Sequence, residues 1–136
     1  MVESQLDVKF PHYKPEEIEV MRRFLALNRL EGIYTFWVVL DTPQSVELRR
    51  KHASEPTIWM WQKQIDAICE TEKEIWIIEV KERVRPSAVG QLLVYQDLYV
   101  KQYNPVKNVK KLLIARLDDP SIHDTLKRYK IRWELV

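Results

Sequence analysis

Three side chains near the middle of this sequence stand among apolar residues, and their types suit metal-assisted chemistry. Asp66 lies in the run QIDAIC, and Glu79 and Lys81 lie in IWIIEVK. A carboxylate set among Ile, Trp and Val costs on the order of several kcal/mol to desolvate unless a cation neutralises it. Strand alternation puts Ile75, Ile77, Glu79 and Lys81 on one face, and Trp76, Ile78, Val80 and Glu82 on the other. On the preceding run Gln62, Gln64, Asp66 and Ile68 share a face, and a hairpin closed by residues 70–74 brings Asp66 alongside Glu79. Two carboxylates and an ammonium then converge. Oxygen ligands of this kind suit Mg²⁺ or Mn²⁺, hard cations that accept one or two carboxylates and leave positions for water and a phosphate.

The elements that must hold these groups are legible on either side. Strand-forming residues run through 58–69, a charged turn follows, and the β signal resumes over 75–81. Pro86 then opens a helix on which Gln91 and Tyr95, four residues apart, share a face. In a chain so rich in Glu and Lys the tripeptide Glu79-Val80-Lys81 means little alone; its place after an apolar run, one hairpin beyond an Asp, carries the weight.

Asp66, Glu79-Val80-Lys81 and Gln91-Leu92-Leu93-Val94-Tyr95, in that order, resemble the PD-(D/E)xK nuclease superfamily and its RecB-like branch in particular. Ile65 stands where the motif's name has Pro, as in many members. The resemblance rests on five side chains but spans most of the chain as an order of elements. It implies a single domain over 1–136 with a restriction-endonuclease-like α-β-β-β-α-β core, a mixed sheet, and an added C-terminal helix and strand. The implied activity is hydrolysis of DNA phosphodiester bonds with Mg²⁺ or Mn²⁺, with RNA left open as a substrate. Asp66, Glu79 and the Val80 carbonyl would hold the ion, Lys81 would position the attacking water, and Gln91 and Tyr95 would meet phosphate and backbone.

The remaining elements read in order. Residues 1–14 form an extended lead-in, and Pro15 starts a helix running to about Leu30 with Ile18, Val20, Met21, Phe24, Leu25 and Leu27 as its buried stripe. Glu17 falls near the middle of that stripe. Family members often supply a further metal-site carboxylate from this helix, so Glu17 is the candidate; a partly exposed charge at the helix start is the plainer alternative. Residues 33–40 are a strand apolar on both faces, expected to be central or covered. A short helix over 45–52 follows, capped by Thr42 or Ser45, and its Arg49, Arg50 and Lys51 could grip phosphate. Lys107 with Lys110 and Lys111, and Lys127, Arg128, Lys130 and Arg132, form further basic clusters for which an ordinary solvated surface is the simpler reading. A strand over 109–117, a helix to Tyr129 and an edge strand over 131–136 complete the order.

Composition bounds the alternatives. With 136 residues, 46% hydrophobic and 31% charged, the chain reads as one globular domain. No apolar run reaches the roughly 20 residues of a membrane span, and MVESQLD lacks signal-peptide character, so a cytoplasmic protein with no membrane partner is expected. The single cysteine, Cys69, excludes an internal disulfide and a Cys-rich metal site. His12, His52 and His123 lack ligand spacing. A net charge of +2 does not announce nucleic acid. Trp59 and Trp61 could stack on unpaired bases, with core packing the simpler reading. Two other functions stay open: a nuclease-like fold without catalysis, acting as a DNA-binding or assembly module, and a homodimer formed by pairing of Trp-rich strands.

Overall fold

The protein's structure, a computed structural model, describes residues 13–136. It is an α/β domain in which a five-stranded mixed sheet separates two apolar cores. Helix α1 (Pro15–Leu27) opens on a proline whose missing N–H costs nothing in a first turn, and it ends at Asn28 in the left-handed conformation. Then come β1 (Ile33–Leu40), α2 (Pro43–Lys51), β2 (Lys63–Glu70), β3 (Glu74–Val80), α3 (Pro86–Tyr103), β4 (Asn108–Ala115), α4 (His123–Arg128) and β5 (Ile131–Leu135). The strands lie in chain order across the sheet, antiparallel from β1 to β3 and parallel from β3 to β5. Each parallel step is bridged by a helix, α3 and then α4, as parallel pairing requires.

The two faces are closed by different helices. Val20, Met21, Phe24 and Leu25 of α1 pack against Ala67, Cys69, Trp76, Ile78 and Val80. On the other face Ala88, Leu92 and Tyr95 of α3 and Leu126 of α4 cover Ile68, Ile75, Ile77 and Leu113. Strand β4 is buried on both sides over residues 111–115, which explains its near-continuous apolar run.

Several expectations need correction. Residues Ile58–Trp61 form a 3₁₀ turn rather than the start of a strand, and pairing begins at Lys63. The chain must reverse there between α2 and β2, and the Thr42 hydroxyl donates to the Trp61 carbonyl to hold that reversal. Trp59 and Trp61 are consequently 63% and 51% exposed, not core residues. Among the described residues strand β1 is an edge strand, not a central one. Its apolar character arises because Tyr34, Phe36 and Trp37 pack on the α1 side and Val38 on the α3 side, while its outer edge has no partner strand among the described residues. On α3, Tyr95 belongs to the buried stripe and Val100 is exposed. Thr42 is the cap of α2, in a reciprocal box with Ser45. His12 and most of the lead-in lie outside the described residues.

Gly32 shows how tightly β1 is seated. A Cβ there would meet the Glu70 carbonyl oxygen at 2.5 Å and Cys69 Sγ at 2.7 Å. Backbone cannot retreat as a side-chain tip can, so Gly32→Ala should cost about 1–3 kcal/mol, read as a lowered midpoint in urea unfolding. An unchanged midpoint would refute this close packing.

Candidate active site

The site forms where β2 and β3 part. The two strands pair over four positions, from Glu70 opposite Ile75 to Ala67 opposite Ile78. Beyond that point β3 stays bound to β4, with Glu79 opposite Leu113, Val80 opposite Ile114, and the Lys81 amide donating to the Ile114 carbonyl at 3.0 Å. Asp66 then substitutes a side-chain hydrogen bond for the ladder: its Oδ2 accepts the Val80 amide at 2.8 Å.

A distortion in β1 accompanies this departure. Phe36 pairs with Ala67 and Val38 with Ile65, but Trp37 between them is left-handed at φ 56°, a costly conformation for a bulky residue. Strict alternation fails at this point: Phe36 and Ala67 face the α1 core, whereas Val38 and Ile65 face the α3 core. The expected shared face of Gln62, Gln64, Asp66 and Ile68 therefore does not hold along its whole length. The Tyr13 hydroxyl donates to the Asp66 carbonyl, and the Tyr13 ring meets Trp37 edge-on at 5.7 Å. Asp66 is thus gripped through its carbonyl by Tyr13 and through its carboxylate by Val80. Neither Tyr13 nor Trp37 was singled out as a site residue, because nothing in a lead-in tyrosine or a strand tryptophan marks such contacts.

The electrostatics are those of acids forced together. Asp66 is 8% exposed and Glu79 4%. Burial, then the Asp66 charge, push Glu79 up to about 9, against the opposing pull of Lys81, whose Nζ lies 3.3 Å from Glu79 Oε1. Burial also raises Asp66, while the Val80 amide and Lys81 work the other way. The two carboxyls act on each other, the Asp66 charge adding to burial in holding Glu79 up. Glu79 Oε2 is buried and receives no hydrogen bond among the described residues. In a native interior such an oxygen marks a place for a cation or a shared proton.

The other expected residues fall around this pair. Glu17 is half-buried on the inner side of α1, and its carboxyl is raised by burial and by Asp66, with Lys81 and Lys14 opposing. It is therefore within electrostatic range of the site. Tyr95 is buried, and burial together with Glu79 and Asp66 push its phenol up to about 12. Gln91 sits beside Tyr95, and its buried Oε1 has no hydrogen-bond partner among the described residues. The two unsatisfied oxygens thus lie on β3 and on the helix that covers it, α3.

No family model, curated protein or solved structure matches this chain. The geometry alone must therefore carry any functional reading.

The basic residues of α2 are already engaged. Arg49 forks onto Asp41 at 2.8 and 3.0 Å, and this pairing, helped by Gln62 and Ser45, holds Asp41 down to about 2 against the opposing effect of burial. Arg50 and Lys51 both pair with Glu47. His52 is exposed, and His123 is hydrogen-bonded to Asp118 and set against Trp133. Among the described residues no three His, Cys, Asp or Glu side chains converge as a ready cation site. The oxygen set seen here is the two carboxyls of Asp66 and Glu79, which fits the few-ligand habit of Mg²⁺ better than the fuller cage Ca²⁺ prefers. Among the described residues, no helix is long and apolar enough to cross a membrane.

Proposed function

We propose that the protein is a divalent-metal-dependent nuclease that hydrolyses DNA phosphodiester bonds. The observation that carries this reading is the meeting of Asp66, Glu79 and Lys81 where β2 and β3 part, with Glu79 Oε2 buried and unsatisfied. The succession of α1, β1, β2, β3, α3 and β4 follows the α-β-β-β-α-β order of restriction-endonuclease-like cores, with α2 inserted and α4 and β5 added. That finer fold assignment is part of the proposal.

Asp66 and Glu79 would hold Mg²⁺ or Mn²⁺ with help from the Val80 carbonyl. The bound ion supplies Lewis acidity, polarising a phosphoryl oxygen and lowering the pKa of water. Tyr13 and the Val80 amide fix Asp66, so its free oxygen is aimed without reorganisation. Lys81 places an ammonium beside the reacting phosphate, where negative charge accumulates as the bond breaks. Gln91 offers its buried amide, and Tyr95 closes the apolar wall that limits water. Glu17 adds negative charge from the opposite face.

The test is cleavage of single-stranded DNA, duplex DNA and RNA with Mg²⁺ or Mn²⁺, comparing the natural protein with Asp66→Asn. Cleavage of DNA that needs metal and vanishes in Asp66→Asn supports the proposal. Metal-independent or absent cleavage, with DNA still bound, would instead favour a binding or assembly module. Light scattering of the same samples reports whether the unpaired edge of β1 makes a homodimer.

A further inference from the structure

A second cluster of charge lies at the other end of the sheet, outside the site above. Strand β4 has neighbours on both sides, yet it carries Lys111, which is only 7% exposed. An ammonium has three protons to donate. Lys111 gives one to Gln96 Oε1 at 3.0 Å, and Gln96 spends its own amide on the Val109 carbonyl at 2.9 Å. Burial disfavours the Lys111 charge and lowers its pKa, Asp97 opposes this from a distance, and Lys130 adds to it. Among the described residues, neither Lys111 nor Lys130 forms an ion pair, although ten pairs of a Lys or Arg side chain with a carboxylate occur elsewhere among them.

Lys130 adds an independent sign. It follows α4 and takes the left-handed conformation at φ 57°, a position that favours glycine or asparagine. A lysine there is a conformational cost with no packing return, since its side chain is exposed. Lys111 and Lys130 both line one concavity of about 330 Å³, with Gln96, Asn108, Val109 and Lys110. Lys110 contributes little net charge because it is paired with Glu74 at 2.8 Å and lies over the Trp76 ring. The concavity thus gathers two ammoniums without an ion-pair partner among the described residues and an exposed amide side chain. An oxyanion with several acceptor oxygens would supply the missing partner for each.

We infer that this concavity binds a phosphate group, either of a small phosphorylated molecule or of a nucleic-acid terminus, through Lys111, Lys130 and Asn108. The site is independent of the proposed nuclease centre, so Asp66→Asn should leave it intact.

The experiment is calorimetric titration with inorganic phosphate at constant ionic strength, on the natural protein, Lys130→Gly and Lys111→Met. Lys130→Gly is the informative variant because glycine suits the left-handed position and the fold should survive, as circular dichroism would verify. The natural protein should bind one phosphate, and each variant should bind about tenfold more weakly or worse, the loss of one charge-assisted contact. Absence of phosphate binding, or an unchanged affinity in a folded Lys130→Gly, overturns the inference. A 5′-phosphorylated oligonucleotide and its unphosphorylated twin then identify the source. Competition by the phosphorylated form alone assigns a nucleic-acid end, and competition by neither assigns a small phosphorylated molecule.

Discussion

Metal-free protein should become less stable as pH rises from about 5 to 9, and Glu79→Gln should remove most of that loss. Unfolded, the Glu79 carboxyl releases its proton near 4.5; folded, it holds it up to about 9. Between those values the folded state binds more protons than the unfolded one, so stability present below the lower value is lost progressively towards the upper one. One proton gives a slope of about 1.4 kcal/mol per pH unit, enough to accumulate several kcal/mol across the window. Asp66 is shifted in the same direction and adds to the effect. Glutamine has the same shape and no charge, and its amide can donate to Asp66. The variant should match the natural protein near pH 4 and exceed it at pH 8 in thermal unfolding, while showing no cleavage. Mg²⁺ or Mn²⁺ should restore the natural protein at pH 8, because uptake needs the deprotonated carboxyls and stabilises only the folded state. The variant should not respond. Parallel stability curves for the two proteins would mean that Glu79 is not held against its own charge, and the site reading would fall with it.

Lys81→Met should separate cleavage from metal uptake. Lys81 lowers the cost of charge on Glu79, Asp66 and Glu17 alike, and it is the cation nearest to Glu79 Oε1. Removing it takes away an ammonium that competes with a divalent ion for the same carboxylates, so metal binding should survive. Cleavage should fall by about 10²–10³-fold, the usual consequence of losing one preorganised charge beside a transition state. Lys81→Arg should rescue poorly, since a planar guanidinium does not replace a point charge in a tight, half-buried place. Metal affinity measured by calorimetry beside single-turnover cleavage decides the matter. Loss of metal binding together with activity would make Lys81 a structural counter-ion instead of a reacting group.

The sequence by itself determined the elements and the acids. Pro15, Pro86 and Asn104 follow from local backbone chemistry, whereas α1 stops at Leu27 on a left-handed Asn28, short of the expected end near Leu30. Asp66 and Glu79 stood out because charge within apolar strands needs compensation, and antiparallel pairing through a short turn placed them side by side. Tertiary structure decided what periodicity could not. Residues 58–61 have strand composition but form a 3₁₀ turn with no partner strand among the described residues, and Trp59 and Trp61 are exposed. Strand β1 looked interior because helices partly cover both its faces, yet edge or centre depends on which strands lie beside it. The left-handed kink at Trp37, the Tyr13 bond to Asp66, and the parting of β2 from β3 join residues up to 53 positions apart. Alternation assumes a regular ladder, and the site exists because the ladder stops.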